Sequence, residues 1–379
     1  MKKRRIALAA AAALILTAFP AGAKEQIVDE MPGKALCLIE AQSGTVLMAK
    51  GEKERFDAAG LSRLPALLVA CEAIDEGEIS IEDIVSVSEA AADVRGPTAF
   101  LSGGERMAVG ELIKSAVMIT AGDAVFAATE AVDASDKAFV ERVDRRLKEL
   151  KIEASYTDRL GANMLFSVEE LALIGAALCR SNTFLSYSKM YYEELVHESG
   201  LVTEMASANK LLKTCEGTNG VATGSSSQAG YCGVFSAKRG DDIYVCSILG
   251  AENAAERAKS AKAMLEYAFS SYNSKMLAKR GETLQAGVKV IGGVSDKCDL
   301  VAARDVFVVL PKDNAYTERR EIPENLQAPL RAGEALGSIV YLDANGETLS
   351  RVELTVAEDV EEALWQDYFI RFLLRHLYI

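Results

Sequence analysis

A serine followed three residues later by a lysine is an arrangement that can make a hydroxyl nucleophilic. A desolvated lysine gives up its proton and then accepts the serine proton in acyl transfer. The chain spells this pattern twice, as Ser186-Tyr187-Ser188-Lys189 and Ser207-Ala208-Asn209-Lys210. Four residues with two free positions occur by chance in 379 residues, so neither copy marks a site by itself. His197 and His376 are the two histidines, which leaves a Ser-His-Asp triad little material. Seven cysteines, Cys37, Cys71, Cys179, Cys215, Cys232, Cys246 and Cys298, are scattered singly, with no Cys-x-x-Cys or Cys/His pair to hold zinc. No metal and no cofactor is expected. Several cysteines sit in apolar runs such as Tyr244-Val245-Cys246-Ser247-Ile248, where a thiol packs as a small buried hydrophobe.

The ends and the charge narrow the setting. Residues 1–23 read as a secretory signal: Lys2, Lys3, Arg4 and Arg5 form a basic start, Ile6 to Phe19 an apolar run, and Ala21-Gly22-Ala23 a small-residue cleavage site. The apolar run is shorter than the roughly 20 residues of a membrane span. Removing those four cations takes the net charge from −13 to −17, so an exported, strongly acidic chain is expected not to bind nucleic acid. Half of the residues are hydrophobic, enough for about two domains with large cores.

The elements that must position any chemistry follow from periodicity. Ala35 to Ile39 and Gly44 to Ala49 read as a β-hairpin around Glu40-Ala41-Gln42-Ser43. Leu64 to Glu76, Val109 to Val132, Ala138 to Leu150 and Val168 to Cys179 have helical spacing. Ala229 to Ala237 and Asp242 to Leu249 alternate like strands, and Ala254 to Phe269 is helical again. This order predicts an α+β domain over 24–280, an antiparallel sheet with helices on its faces. Short strands at Gly287–Gly292, Asp305–Leu310, Gly337–Tyr341 and Arg351–Leu354 predict a smaller all-β domain over 281–357. The tail, 358–379, reads as an amphipathic helix. Leu364, Trp365, Tyr368, Phe369, Phe372, Leu373 and Leu377 make its apolar face, and Asp367, Arg371 and Arg375 a polar stripe suited to lying in a membrane surface.

A set of short segments in fixed order then identifies a relative. These are Asp57-Ala58-Ala59-Gly60-Leu61-Ser62-Arg63-Leu64, Phe100-Leu101-x-x-Gly104-Glu105, Thr120-Ala121-Gly122-Asp123, Gly220-Val221-Ala222-Thr223-Gly224, Ala229-Gly230-Tyr231-Cys232 and Ala328-Pro329-Leu330-x-x-Gly333-Glu334. Over nearly the whole mature chain this resembles the serine-type D-alanyl-D-alanine carboxypeptidases, the low-molecular-mass penicillin-binding proteins of peptidoglycan metabolism. The resemblance implies a beta-lactamase/transpeptidase-like fold followed by the β domain. It also implies a reaction in which a first-motif serine attacks the D-Ala-D-Ala carbonyl while the lysine three residues on takes its proton.

The positions that would carry this reaction are occupied by other residues. Gly60 stands for the nucleophilic serine and Arg63 for the lysine; glycine has no nucleophile, and a guanidinium stays charged where a base is needed. Pro65 enters where the family has helix interior, so the helix is expected to start there, with Ser62 or Arg63 near its cap. In the second motif Ala121 is read as replacing the hydroxyl, and Asp123 or a deletion as replacing the amide. Ala222 replaces the third-motif lysine. By resemblance Thr223, Gly224, the Ser225 backbone and Arg257 retain contacts to the substrate's terminal carboxylate and oxyanion.

These readings favour an extracytoplasmic pseudoenzyme peripherally attached to the outer face of the cytoplasmic membrane by its last helix. Its expected partners are peptidoglycan stem peptides or envelope proteins. The alternatives are an active, atypical carboxypeptidase and a purely structural envelope module.

Overall fold

The computed structural model describes residues 28, 30–312, 315–343 and 346–377, so the signal expected at 1–23 lies outside the described residues. The chain divides between Tyr272 and Asn273 into two compact units.

The first unit is built on a five-stranded antiparallel sheet. The expected hairpin is present as β1 (Ala35–Glu40) and β2 (Val46–Lys50). Three later strands, β3 (Thr218–Ser226), β4 (Gly230–Arg239) and β5 (Asp242–Ala251), complete it in the order β2-β1-β5-β4-β3. First and last strands thus meet, with Ala35 opposite Leu249 and Glu40 opposite Tyr244. Every residue of β1 is buried because helices cover both faces. On one face Ser247 Oγ donates to Val168 O, and on the other the adjacent Cys246 Sγ lies 3.7 Å from Ala261 O.

Between β2 and β3 lies a helical block: α1 (Leu64–Asp75), α2 (Val109–Ile119), α3 (Gly122–Val132), α4 (Asp136–Glu149) and α5 (Val168–Leu178). Helix α1 starts where Pro65 requires, with Arg63 as its N-cap. The single helix expected over Val109–Val132 is instead two. Thr120 closes α2 in the left-handed conformation (φ 56°, ψ 38°), and Ala121 opens α3 from an extended one. Helix α6 (Ala254–Ser271) is capped by Asn253, whose side chain accepts from the N–H groups of Ala255 and Glu256. All seven cysteines are free thiols; six are buried and Cys298 is half-buried. Burial pushes the Cys179 thiol up to about 11.

The second unit holds a six-stranded sheet: Thr317–Glu321, Gly337–Leu342, Thr348–Val356, Lys297–Ala302, Thr283–Ile291 and Asn325–Gln327 in spatial order. Val288, Val290, Leu300, Ile339, Val352 and Leu354 fill its own core. The terminal helix, α7, runs from Trp365 to Leu377 rather than from Glu358. The preceding segment is held extended, because Val360 pairs with Leu330 and Glu362 with Gly293. The Arg375, His376 and Leu377 side chains lie outside those described.

Candidate active site

The three motif segments converge. Ala59–Arg63 forms a short 3₁₀ turn leading into α1, opened by Ala59 N–H donating to Asp57 Oδ1 at 2.8 Å. Strand β3 passes directly over this turn. A Cβ at Gly224 would lie 3.1 Å from Gly60 N and 3.5 Å from the Ala59 Cβ, so only glycine lets the strand approach this closely. The α2–α3 junction closes the third side, where Thr120 Oγ1 reaches Thr223 O at 3.4 Å.

Gly60 therefore sits where three elements meet. A Cβ added there would have the Thr120 methyl, at 3.7 Å, as its sole neighbour within 4 Å. A Cβ would fit there in ordinary contact, so crowding at the first side-chain atom does not require glycine.

Arg63 is buried and its guanidinium is consumed by main chain. Nη1 donates to Thr120 O at 2.7 Å and Pro97 O at 3.2 Å, and Nη2 to Arg95 O at 3.3 Å. Burial lowers its pKa, and the nearby Asp123 charge opposes that shift. Arg63 is thus a cationic tie between the first motif and the second, with its donors facing carbonyls.

This geometry corrects the reading of the second motif. The side chain facing position 60 is that of Thr120, through its methyl and with its hydroxyl turned to Thr223 O, whereas Ala121 is fully buried in the core. The residue packed on Arg63 is Gly122, where a Cβ would come within 2.6 Å of the Arg63 Cζ. Asp123 points elsewhere. Its buried carboxylate accepts the N–H groups of Ala99 (2.8 and 3.0 Å), Leu101 (3.1 Å) and its neighbour Ala124 (2.8 Å), pinning the segment on which Phe100 takes a φ of +62°. One residue of register in a left-handed turn decides which side chain faces the cleft, and residue spacing does not encode it.

Gly122 and Arg63 should therefore be energetically coupled. Gly122→Ala in the native background should cost about 2–3 kcal/mol, since the guanidinium must give up bonds to buried carbonyls to make room. Adding Arg63→Lys should relieve at least half of that cost. Chemical denaturation of the two single variants and the double variant measures the coupling; strict additivity would show that the contact is not made.

On β3, Ala222 lies opposite Val234 and is buried in the core, Thr223 lies opposite Gly233, and Ser225 is exposed opposite Tyr231. Arg257, on α6, is buried with Nη1 donating to Cys232 O at 2.9 Å and Gly224 O at 3.3 Å, beside the Tyr231 and Phe235 rings. Burial lowers its pKa. Arg257 thus reaches the third motif through the Gly224 carbonyl.

The other serines are committed locally. Ser62 Oγ donates to Leu160 O at 3.1 Å. Ser186 Oγ bonds Asn182 O within its own helix, and Ser207 follows the strand Val202–Ala206 and accepts from Asn209 N–H. His197 is a buried structural residue: Nδ1 lies 3.0 Å from Glu105 Oε1, and Nε2 lies 2.9 Å from Thr203 Oγ1. Glu105 also accepts from Ser102 and Glu198 N–H, so this cluster braces the same 99–105 segment that Asp123 pins. The Gly104-Glu105 pair is visible in the sequence, but its bracing role depends on His197, 92 residues away, and leaves no local signal.

Comparison with known proteins agrees with this arrangement. Residues 11–253 match the D-alanyl-D-alanine carboxypeptidase family, and residues 272–362 match the penicillin-binding protein 5 C-terminal domain. The chain is 30% identical over 349 residues to D-alanyl-D-alanine carboxypeptidase DacF of Bacillus subtilis, covering 90% of this chain and 88% of that protein. It is 26% identical to D-alanyl-D-alanine carboxypeptidase DacA of Haemophilus influenzae, covering 92% and 91%. In fold it resembles penicillin binding protein 5 of Haemophilus influenzae, with a TM-score of 0.77 at 24% identity, over 88% of this chain and 98% of that one. The three converging segments and these matches over both units make this chain a member of the D-alanyl-D-alanine carboxypeptidase family of peptidoglycan metabolism.

Proposed function

We propose that this chain is a pseudoenzyme of its family: an exported protein, held at the outer face of the cytoplasmic membrane by its last helix, that binds peptidoglycan stem peptides or envelope partners without cutting them. The observation that carries this reading is Gly60. It occupies the meeting point of the three motifs with room for a Cβ it does not have, while the adjacent cation, Arg63, is spent on three carbonyls.

Binding groups survive around that vacancy. Thr223 offers a hydroxyl, and the Ser225 N–H is a donor whatever its side chain. Arg257 supports the strand that carries them through Gly224 O. A stem peptide ending in D-Ala-D-Ala has a carboxylate and a carbonyl for these donors.

Calorimetric titration of acid and amide forms of such a peptide tests this. The acid should bind weakly, stay intact, and lose about tenfold to a hundredfold in affinity with Arg257→Ala or on amidation, the range of one charge-assisted hydrogen bond. No binding, or equal binding by the Arg257→Ala variant, would make the cleft a remnant and leave partner proteins as the ligands.

A further inference from the structure

The apolar face of α7 is continued by a part of the β domain. Leu364, Trp365, Tyr368, Phe369 and Phe372 are each more than half exposed, Trp365 at 73%. Next to the helix lies the turn between the strands Thr283–Ile291 and Lys297–Ala302, and it too presents aliphatic side chains to solvent: Ile291 is 51% and Val294 50% exposed.

The two are fastened together. Val294 N–H donates to Glu361 O at 2.9 Å, and Ala363 N–H to Gly292 O at 2.8 Å. Arg371, nearly two turns into the helix and stacked beside Tyr368, bonds both Asp296 and Gly293 O. Turn and helix therefore move as one piece within this unit.

We propose that the 291–295 turn is a second membrane-contacting element, entering the lipid headgroup boundary beside α7. This rests on the reading of α7 as an in-plane anchor. Lipid is the occupant that fits: an aromatic row with aliphatic neighbours suits the headgroup–acyl boundary, and among the described residues no helix is long and apolar enough to cross a membrane. The Arg371 charge is already matched by Asp296, so apolar insertion rather than attraction to anionic lipid should supply most of the affinity.

Sedimentation with phosphatidylcholine/phosphatidylglycerol vesicles tests both layers, comparing the unaltered chain, a chain ending at Ala357, and an Ile291→Asp/Val294→Asp variant, with circular dichroism to confirm folding. The truncation should be released, and the double variant should bind at least about tenfold more weakly, the loss expected for two aliphatic side chains leaving an apolar phase. Trp365 is the chain's single tryptophan. In a Trp365→Phe/Val294→Trp variant, the introduced indole should therefore be quenched by brominated lipid. Truncated protein that still sediments would overturn the anchor and this inference together. Release by truncation, with the Asp variant binding within twofold of the unaltered chain or with no quenching, would overturn the inference alone. Loss of self-association rather than of vesicle binding would make the patch an interface between copies and overturn it as well.

Discussion

A peptide ending in D-Ala-D-Ala should survive prolonged incubation with this protein, and Gly60→Ser alone should not change that. Removing the nucleophile of a serine hydrolase can cost on the order of 10⁶ in turnover. The space at position 60 would admit the serine Cβ, 3.7 Å from the Thr120 methyl. Its proton would have no acceptor, however, because Arg63 is a cation whose donors face Thr120, Pro97 and Arg95 carbonyls, and Ala222 is a buried methyl. Combining Gly60→Ser with Arg63→Lys and Ala222→Lys restores the chemical types of the first and third motifs. Any regained release of D-alanine should appear in that combination and not in the single variant. Liquid chromatography of the peptide after incubation distinguishes these outcomes, and release by the unaltered chain would favour the atypical enzyme.

Asp123→Ala should destabilise the first unit by about 3–5 kcal/mol, lowering its melting temperature by roughly 10 °C. The carboxylate is buried and satisfies the Ala99 and Leu101 N–H groups, which would be left without acceptors. The same change removes the charge that offsets the burial of Arg63. Asp123→Asn, with one acceptor oxygen in place of two, should fall between. A calorimetric scan measures both. An alanine variant within about 0.5 kcal/mol of the unaltered chain would mean that the 99–101 segment is held by the Glu105–His197 cluster instead.

Much of the architecture was legible in the residues. Pro65 fixed the start of α1, alternation marked β4 and β5, and the order of the motif segments pointed to the family. What could not be read depends on individual backbone conformations. Val109–Val132 is apolar at helical spacing throughout, so the left-handed Thr120 that splits it leaves no periodic trace, and with it the roles of Thr120, Ala121, Gly122 and Asp123 shift by one position. Arg257 follows the same logic. The resemblance implies that it faces a substrate carboxylate, whereas its burial beside Tyr231 and Phe235, with the guanidinium on the Cys232 and Gly224 carbonyls, is set by how α6 packs on β4. At the tail, composition suggests helix from Glu358, whereas pairing of Val360 with Leu330 holds the backbone extended to the point where α7 begins.

The central claim is that the residues at the motif convergence bind but do not react. Incubation with a penicillin followed by intact-protein mass spectrometry tests it independently of any guess about substrate. The protein's mass should be unchanged by the reagent. A stoichiometric adduct, mapped to Ser62, Thr120 or any other hydroxyl, would contradict it and make this chain an enzyme with a relocated nucleophile.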